Sequence, residues 1–157
     1  MRSLAAALLL AFAAALPASA SAVAWTGGGD GVNWSDPLNW SPVGVPGAGA
    51  DVVVASGAVT ASAGVLVSAA SLDLGAPPST ATLRLTTGTV VSGQLRVRAG
   101  SILIFDSTQP AQAGTFLVET GGLVTAIGPL SQSTVAVTVS AGLFDLQAGA
   151  TLTVAGL

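Results

Sequence analysis

Aliphatic residues alternate with other residues over most of the chain after residue 50, and this alternation constrains the fold more than any other feature. Successive side chains of a β-strand point to opposite faces, so a period of two indicates strands that bury one face. Gly and Pro interrupt the pattern repeatedly and keep each predicted strand short. The alternating sets are Val52 and Val54, Leu72 and Leu74, Leu83 and Leu85, Leu95 and Val97, Ile102 and Ile104, Phe116 and Val118, Val135, Val137 and Val139, and Leu152 and Val154.

The composition of residues 51–157 supports strands and argues against helices. This segment is rich in Val and Thr, which favour extended backbone, and it has no Met, no Lys and a single Glu. Short strands separated by turn residues predict an all-β chain, for which a sandwich, a barrel and a solenoid are the alternatives.

The spacing of the charged residues favours the solenoid. Asp73, Arg96 and Glu119 follow one another at equal intervals, and the interval from Arg84 to Asp106 is almost the same. Successive coils of a parallel β-solenoid return the chain one strand spacing, about 4.8 Å, above its starting point, and so produce a constant step. We therefore predict a single-stranded parallel β-helix in which Asp73, Arg96 and Glu119 stack on the outer wall.

The residue inventory excludes several kinds of chemistry. The chain has no Cys and no His, which removes disulfides, thiolate zinc sites and the usual general base. Only 7% of its residues are charged, and the net charge is -3, so no basic stripe exists for nucleic acid or for anionic membranes. We expect no cofactor, no metal and no nucleic-acid partner.

Residues 1–22 are typical of a signal peptide. Arg2 supplies a minimal positive charge, residues 4–16 are apolar, and small residues follow Pro17. We predict cleavage after Ala22, with Ala20 and Ala24 as alternatives. The apolar stretch is shorter than the roughly 20 residues that a membrane span requires, so we expect a secreted or cell-surface protein that does not insert into the membrane after the signal is removed.

Residues 23–50 contain all three Trp, namely Trp25, Trp34 and Trp40, together with many Gly and Pro. One Trp side chain removes about 150–250 Å² from water, which is enough to help cover the end of a narrow core. We predict that this segment forms an irregular cap on a solenoid of residues 51–157, which is either complete or truncated at its C-terminus. As an alternative, the three Trp are exposed platforms on which sugar rings stack.

The same opening carries a resemblance to a known group of proteins. It reads W-T-G-G-G-D-G-V-N-W-S-D over residues 25–36, then N-W at residues 39–40, then Pro and Gly before Asp51 and the first aliphatic strand. This order resembles the start of solenoid segments in bacterial surface adhesins of the autotransporter and haemagglutinin-like kind. The resemblance implies a β-helical stalk and adhesion, and it implies no catalytic residues.

The polar residues of the opening have two further interpretations. Asn33 and Asn39 both lie in N-x-S sequons, so each is a candidate glycosylation site, but we prefer hydrogen bonds within turns for both. Asp30, Asp36 and Asp51 could supply carboxylates to calcium, although their spacing matches no known calcium loop.

These observations lead to one predicted function and two alternatives. We predict a secreted or cell-surface structural or adhesive module without catalytic activity, whose partner is an extracellular glycan or a neighbouring β-solenoid that pairs with the last strand near residues 151–154. The first alternative is a carbohydrate-binding module that uses exposed Trp. The second is a polysaccharide lyase-like β-helix enzyme, and its candidate residues are Asp73, Arg84, Arg96, Arg98, Asp106 and Glu119.

Overall fold

The protein is built from strands that lie in two sheets and run parallel to their neighbours, apart from one short antiparallel strand near the N-terminus. The computed structural model describes residues 21–106, 111–126, 130–132, 137–139, 143–146 and 152–154. Within these residues the chain forms fifteen strands and one short 3-10 helix, Pro37–Asn39. The predicted strand position Val135 and the predicted turn at residues 141–142 lie outside the described residues.

A ten-stranded sheet forms one wall and a five-stranded sheet forms the other. The strands of the first sheet are β1 (Ser21–Trp25), β2 (Trp40–Ser41), β3 (Ala50–Val54), β5 (Val67–Ala69), β6 (Ser71–Leu74), β8 (Thr89–Val97), β10 (Ala111–Val118), β12 (Leu130–Gln132), β13 (Val137–Val139) and β15 (Leu152–Val154). The strands of the second are β4 (Gly57–Ala61), β7 (Ala81–Leu85), β9 (Ile102–Phe105), β11 (Leu123–Ala126) and β14 (Leu143–Leu146).

Strand pairing confirms the parallel β-solenoid. In the ten-stranded sheet, β6 pairs with β8 in parallel, and its register partners are Leu72 with Leu95, Asp73 with Arg96 and Leu74 with Val97. Extending this row along the sheet gives the successive partners Val52, Leu72, Leu95, Phe116 and Val137. Each coil therefore uses a similar length of chain. Such a row of parallel pairs is absent from the sandwich and barrel alternatives, whose neighbouring strands run antiparallel.

The core is a column of apolar, mostly aliphatic side chains between the two walls. From the ten-stranded sheet, Val52, Leu72, Leu95 and Phe116 stack one above another and are buried. From the five-stranded sheet, Val59, Leu83, Leu103 and Val124 form the facing stack. Burial of one such side chain contributes about 1.5–3 kcal/mol to the free energy of unfolding, so the stacks are the main stabilising element of each coil.

One alternating pair that the sequence predicts to be buried, Ile102 and Ile104, points outward instead. Ile102 and Ile104 lie on the outer face of β9, whereas Leu103 and Phe105 are buried. The whole strand is apolar, so alternation alone does not choose its inner face. The register with β7 decides, because Leu103 is paired with Leu83 and Phe105 with Leu85, both of which point inward.

Glycine is required where the chain turns a corner within the ten-stranded sheet. Between the two halves of β8, a Cβ atom on Gly93 would lie 2.6 Å from the carbonyl oxygen of Ala70. One coil further on, a Cβ atom on Gly114 would lie 2.5 Å from the carbonyl oxygen of Ser92. The corner therefore repeats from coil to coil with backbone packed directly on backbone.

The first parallel strand lies earlier in the chain than the predicted boundary at Asp51. β1 pairs in parallel with β3, with Ser21 opposite Ala50 and Val23 opposite Val52. Residues 21–25 therefore belong to the ten-stranded sheet rather than to an irregular cap. The irregular part of the opening is confined to residues 26–49, which we call the cap loop and which includes the short strand β2 and the 3-10 helix.

Candidate functional site

The cap loop covers the N-terminal edge of both sheets. β2 runs antiparallel to β1, with Ser41 opposite Ala24 and Trp40 opposite Trp25. On the other wall, the N–H group of Thr60 donates to the carbonyl of Val32 at 2.8 Å, and the N–H group of Trp34 donates back to the Thr60 carbonyl at 2.9 Å. These bonds satisfy backbone groups that an open sheet edge would leave unpaired.

The three Trp side chains form one cluster beneath the cap loop. Trp40 lies between the other two, with ring centroids 4.9 Å from Trp25 and 4.6 Å from Trp34, and both contacts are edge-to-face. Trp40 also donates its indole N–H to the carbonyl oxygen of Trp34 at 2.8 Å. Trp34 and Trp40 are 0% and 1% exposed, so they close the end of the core, as the cap prediction requires.

This burial argues against sugar stacking for two of the three Trp. A stacking platform needs one ring face open to solvent, and neither Trp34 nor Trp40 has one. Trp25 differs, because it packs against the core while remaining half-buried. Its indole N–H has no acceptor among the described residues.

Asn39 is the centre of the hydrogen bonds that hold the cap loop. The residue is buried, and its Oδ1 atom accepts from the backbone N–H groups of Gly29 at 2.9 Å and Gly31 at 3.0 Å. Its Nδ2 group donates to Oδ1 of Asp30 at 2.8 Å and to the carbonyl of Asn33 at 2.9 Å. Every polar atom of the amide is therefore used, as the turn interpretation requires. The same bonds argue against glycosylation of Asn39, because Nδ2 is buried and a glycan would replace one of the two N–H groups that it donates.

Asn33 is held in the same turn, although it is less buried. Its Nδ2 group donates to Oδ2 of Asp30 at 2.5 Å, and its backbone N–H donates to Oδ1 of Asp30 at 2.8 Å. Asn33 also forms a parallel bridge to Thr60 on the edge of β4. These contacts agree with the preferred role of Asn33 in a turn.

Asp30 receives more hydrogen bonds than any other carboxylate of the cap loop. Besides the bonds from Asn33 and Asn39, it accepts the backbone N–H of Val32 at 2.9 Å. The backbone N–H groups of Asn33 and Val32, followed by the two Asn side chains, hold the pKa of Asp30 well below its usual range. N–H donors favour the charged carboxylate, so Asp30 stabilises the loop as an anion.

Asp30, Asp36 and Asp51 do not form a shared calcium site among the described residues. Oδ2 of Asp36 accepts the N–H of Asp30 at 2.8 Å, and Oδ1 of Asp36 caps the 3-10 helix by accepting the N–H of Leu38 at 3.0 Å. Asp51 lies in β3 and is bonded to the hydroxyl of Ser71 at 2.5 Å. The oxygen atoms of Asp30 and Asp36 thus face N–H donors, which a cation would have to displace. Among the described residues no group of three or more His, Cys, Asp or Glu is arranged to hold a metal.

The six charged residues considered for catalysis form three ion pairs. Arg98 binds Asp73 through Nε at 2.7 Å and through Nη2 at 2.5 Å, and Nε of Arg96 lies 3.8 Å from Oε1 of Glu119. These four residues lie on the outer face of the ten-stranded sheet or just beyond the ends of its strands. The third pair joins Arg84 to Asp106 on the five-stranded sheet.

The predicted stack of Asp73, Arg96 and Glu119 is only partly correct. Asp73 and Arg96 are register partners, but the next strand places Leu117 opposite Arg96, and Glu119 follows two residues later. The step from β8 to β10 is shorter than the step from β6 to β8, which moves Glu119 beyond the end of its strand. Asp73 forms its ion pair with Arg98, a partner that equal spacing does not indicate, and Arg96 lies close to Glu119.

The arrangement of these six charged residues differs from that of a lyase site. Such a site requires acidic and basic groups that converge on one substrate. Here each acid is neutralised by a neighbouring Arg, and the three pairs are divided between two walls. Pairs this exposed contribute about 0–1 kcal/mol each to stability.

Comparisons with family models, with curated proteins and with solved structures found no match to this chain. The part of the chain that the structure describes contains no helix that is long and apolar enough to cross a membrane. We therefore infer function from the solenoid geometry, the closed N-terminal end and the position of Trp25.

Proposed function

We propose that this chain is a secreted or cell-surface β-solenoid module with a structural or adhesive role and without catalytic activity. The observation that carries the proposal is the closed N-terminal end. β2 pairs with the last two residues of β1, the cap loop bonds the edge of β4 at Thr60, and Trp34 and Trp40 fill the end of the core. A column sealed at this end resists edge-to-edge aggregation and presents its walls as the surfaces available for contact.

The walls support an adhesive role more than a chemical one. Six of their charged residues form neighbouring Arg–carboxylate pairs, and the outer face of β9 carries the aliphatic residues Ile102 and Ile104. A nearly neutral wall of this kind lacks the long-range field that would steer a charged substrate. It suits short-range contact with a neighbouring solenoid or with neutral glycan.

Two measurements test the proposal. The chain is expressed with its own N-terminal segment, and its location is determined by protease treatment of intact cells and by assay of the medium. The purified protein is then coated on beads, whose retention is measured on glycan surfaces and on surfaces that carry the same protein. We expect export and retention, with no retention of beads that carry the denatured protein. Confinement to the cytoplasm, or calcium-dependent cleavage of polygalacturonate that Arg96→Ala abolishes, would contradict the proposal.

Carbohydrate binding is the second candidate function, and Trp25 is the observation that favours it. Gly27 and Gly57 lie beside its indole N–H, since a Cβ atom on either would be 3.6 or 3.5 Å from Nε1. Because neither glycine has a side chain, a ligand hydroxyl can approach this donor over bare backbone. An indole combines an N–H donor with an apolar ring, which matches the mixed surface of a neutral sugar.

This second candidate is tested by titrating neutral oligosaccharides while following Trp fluorescence and its quenching by iodide. Trp25 is the accessible member of the three Trp, so it dominates the quenching signal. We expect Trp25→Ala to abolish binding and Trp25→Phe, which keeps a ring but loses the N–H, to weaken it. Equal affinity in the wild type and both variants would rule out recognition through Trp25.

A further inference from the structure

The junction between the signal-like segment and the solenoid contains three overlapping cleavage motifs. Small residues at the third and first positions before the cut are the requirement for signal peptidase. Ala18 with Ala20, Ala20 with Ala22, and Ala22 with Ala24 all meet it. The three cuts would produce chains that begin at Ser21, Val23 or Trp25.

The structure distinguishes these three chains by what each would remove from the first strand. Ser21 is the first described residue of β1, and its backbone N–H donates to the carbonyl of Gly49 at 3.3 Å. Ser21 and Ala22 are in register with Ala50 and Asp51 of β3. A chain that begins at Val23 loses both of these pairs and keeps only the second half of the strand.

A chain that begins at Trp25 would lose much more. It would lack Val23, which is 8% exposed and belongs to the core, and Ala24, which is paired on both sides with Val53 and Ser41. β2 would then keep a single register partner, Trp25. The antiparallel cover of the N-terminal edge depends on this strand, so this cut would open the end that the cap loop closes.

The surroundings of Ser21 also suit a chain terminus. Ser21 is exposed and lines an open groove with residues 42–50, so an ammonium group there stays hydrated. The carbonyl of Gly49 already accepts its N–H, and a positive charge on the donor strengthens such a bond.

We propose that the mature protein begins at Ser21, through hydrolysis of the peptide bond between Ala20 and Ser21. Water supplies the hydroxyl that completes the Ala20 carboxylate and the proton that completes the Ser21 amine, so no other reactant is consumed. This inference rests on the proposed export of the chain, and it replaces cleavage after Ala22 by cleavage two residues earlier.

The test is N-terminal sequencing and intact-mass measurement of the exported protein in the wild type and two matched variants. Ala18→Leu places a large residue at the third position before the Ala20 cut and leaves the Ala22 cut unaltered. Ala22→Leu blocks the Ala22 and Ala24 cuts and leaves the Ala20 motif intact, at a side chain that the fold exposes. We expect Ser21 in the wild type and in Ala22→Leu, and loss of the Ser21 terminus in Ala18→Leu.

The ways in which this test can fail are distinguishable. An exported wild-type protein that begins at Val23 or Trp25 overturns the assignment of Ser21 and leaves export standing. A full-length chain that stays inside the cell overturns both. Chains beginning at Ser21, Val23 and Trp25 are also compared for unfolding in denaturant, and equal midpoints for all three would remove the structural reason for the assignment.

Discussion

The indole N–H of Trp40 donates to the backbone carbonyl of Trp34 at 2.8 Å, inside the end of the core. This bond joins the cap loop to itself and holds Trp40 against both other Trp rings. Because the donor, the acceptor and the two buried rings are shielded from water, the cap and the core are expected to unfold together.

We predict that Trp40→Ala lowers the free energy of unfolding by about 3–5 kcal/mol, since it leaves a large cavity. Trp40→Phe keeps an aromatic ring but loses the bond to Trp34, and we expect about 1–2 kcal/mol. Equilibrium denaturation followed by circular dichroism measures both. Trp25→Ala is the control, and an effect as large as that of Trp40→Ala would show that burial does not determine the difference.

Asn39 provides a second test of the cap loop. Asn39→Ala leaves the N–H groups of Gly29 and Gly31 without their acceptor, and we expect a loss of about 2–4 kcal/mol. Asn39→Asp keeps that acceptor but places a carboxylate against Asp30, so its loss is expected to be greater at neutral than at acidic pH. The matched substitution Asn33→Asp, at a half-buried side chain, is expected to cost less. A pH-independent effect of Asn39→Asp would argue against the geometry described.

The hydrogen bonds to Asp30 predict that the stability of the folded protein depends on pH. N–H donors lower the pKa of Asp30 in the folded state, so the folded protein binds its proton more weakly than the unfolded chain does. The contribution of Asp30 is therefore complete above the ordinary Asp pKa of about 3.9 and is lost as the pH falls toward the lower folded value. Unfolding of the wild type and Asp30→Asn is compared from near neutrality to strong acid. We expect the difference between them to shrink with falling pH, and a constant difference would contradict the assignment.

We predict that Gly→Ala substitutions at Gly114 and at Gly47 differ sharply in their effect on stability. Gly114→Ala places a Cβ atom 2.5 Å from the carbonyl oxygen of Ser92, which is backbone and cannot move freely, so we expect a loss of about 1–3 kcal/mol or more. Gly47→Ala has no atom within 4 Å of the new Cβ, and we expect a change within about 0.5 kcal/mol. Thermal unfolding measures both, and similar midpoints would show that the coils are not packed at this corner.

Several local features were predictable from the sequence because they depend on local periodicity. Alternation identified strands, the separation of Leu72 from Leu95 matched one coil, and the parallel pairing of β6 with β8 followed. The burial of Trp34 and Trp40 at the end of the core was also predictable, since large apolar rings beside a narrow core have few other places to go. In each of these cases one residue type and its spacing are sufficient.

The remaining features required the tertiary structure, because they depend on register, which the sequence pattern leaves open. Every side chain of β9 is apolar, so either face of this strand could be buried. Only the pairing with β7 places Leu103 in the core. A shorter coil between β8 and β10 moves Glu119 away from its predicted row. The ion pair between Asp73 and Arg98 is likewise visible only in the folded chain.

The first strand, β1, also combines a feature that the sequence shows with one that only the tertiary structure shows. Ser21 and Ala22 have the small side chains that end a targeting segment, yet β3 offers them an edge to pair with. Composition and period determined that this chain winds in parallel coils. The length of each coil decided which side chains meet, because a small shift in register changes every partner without changing the pattern.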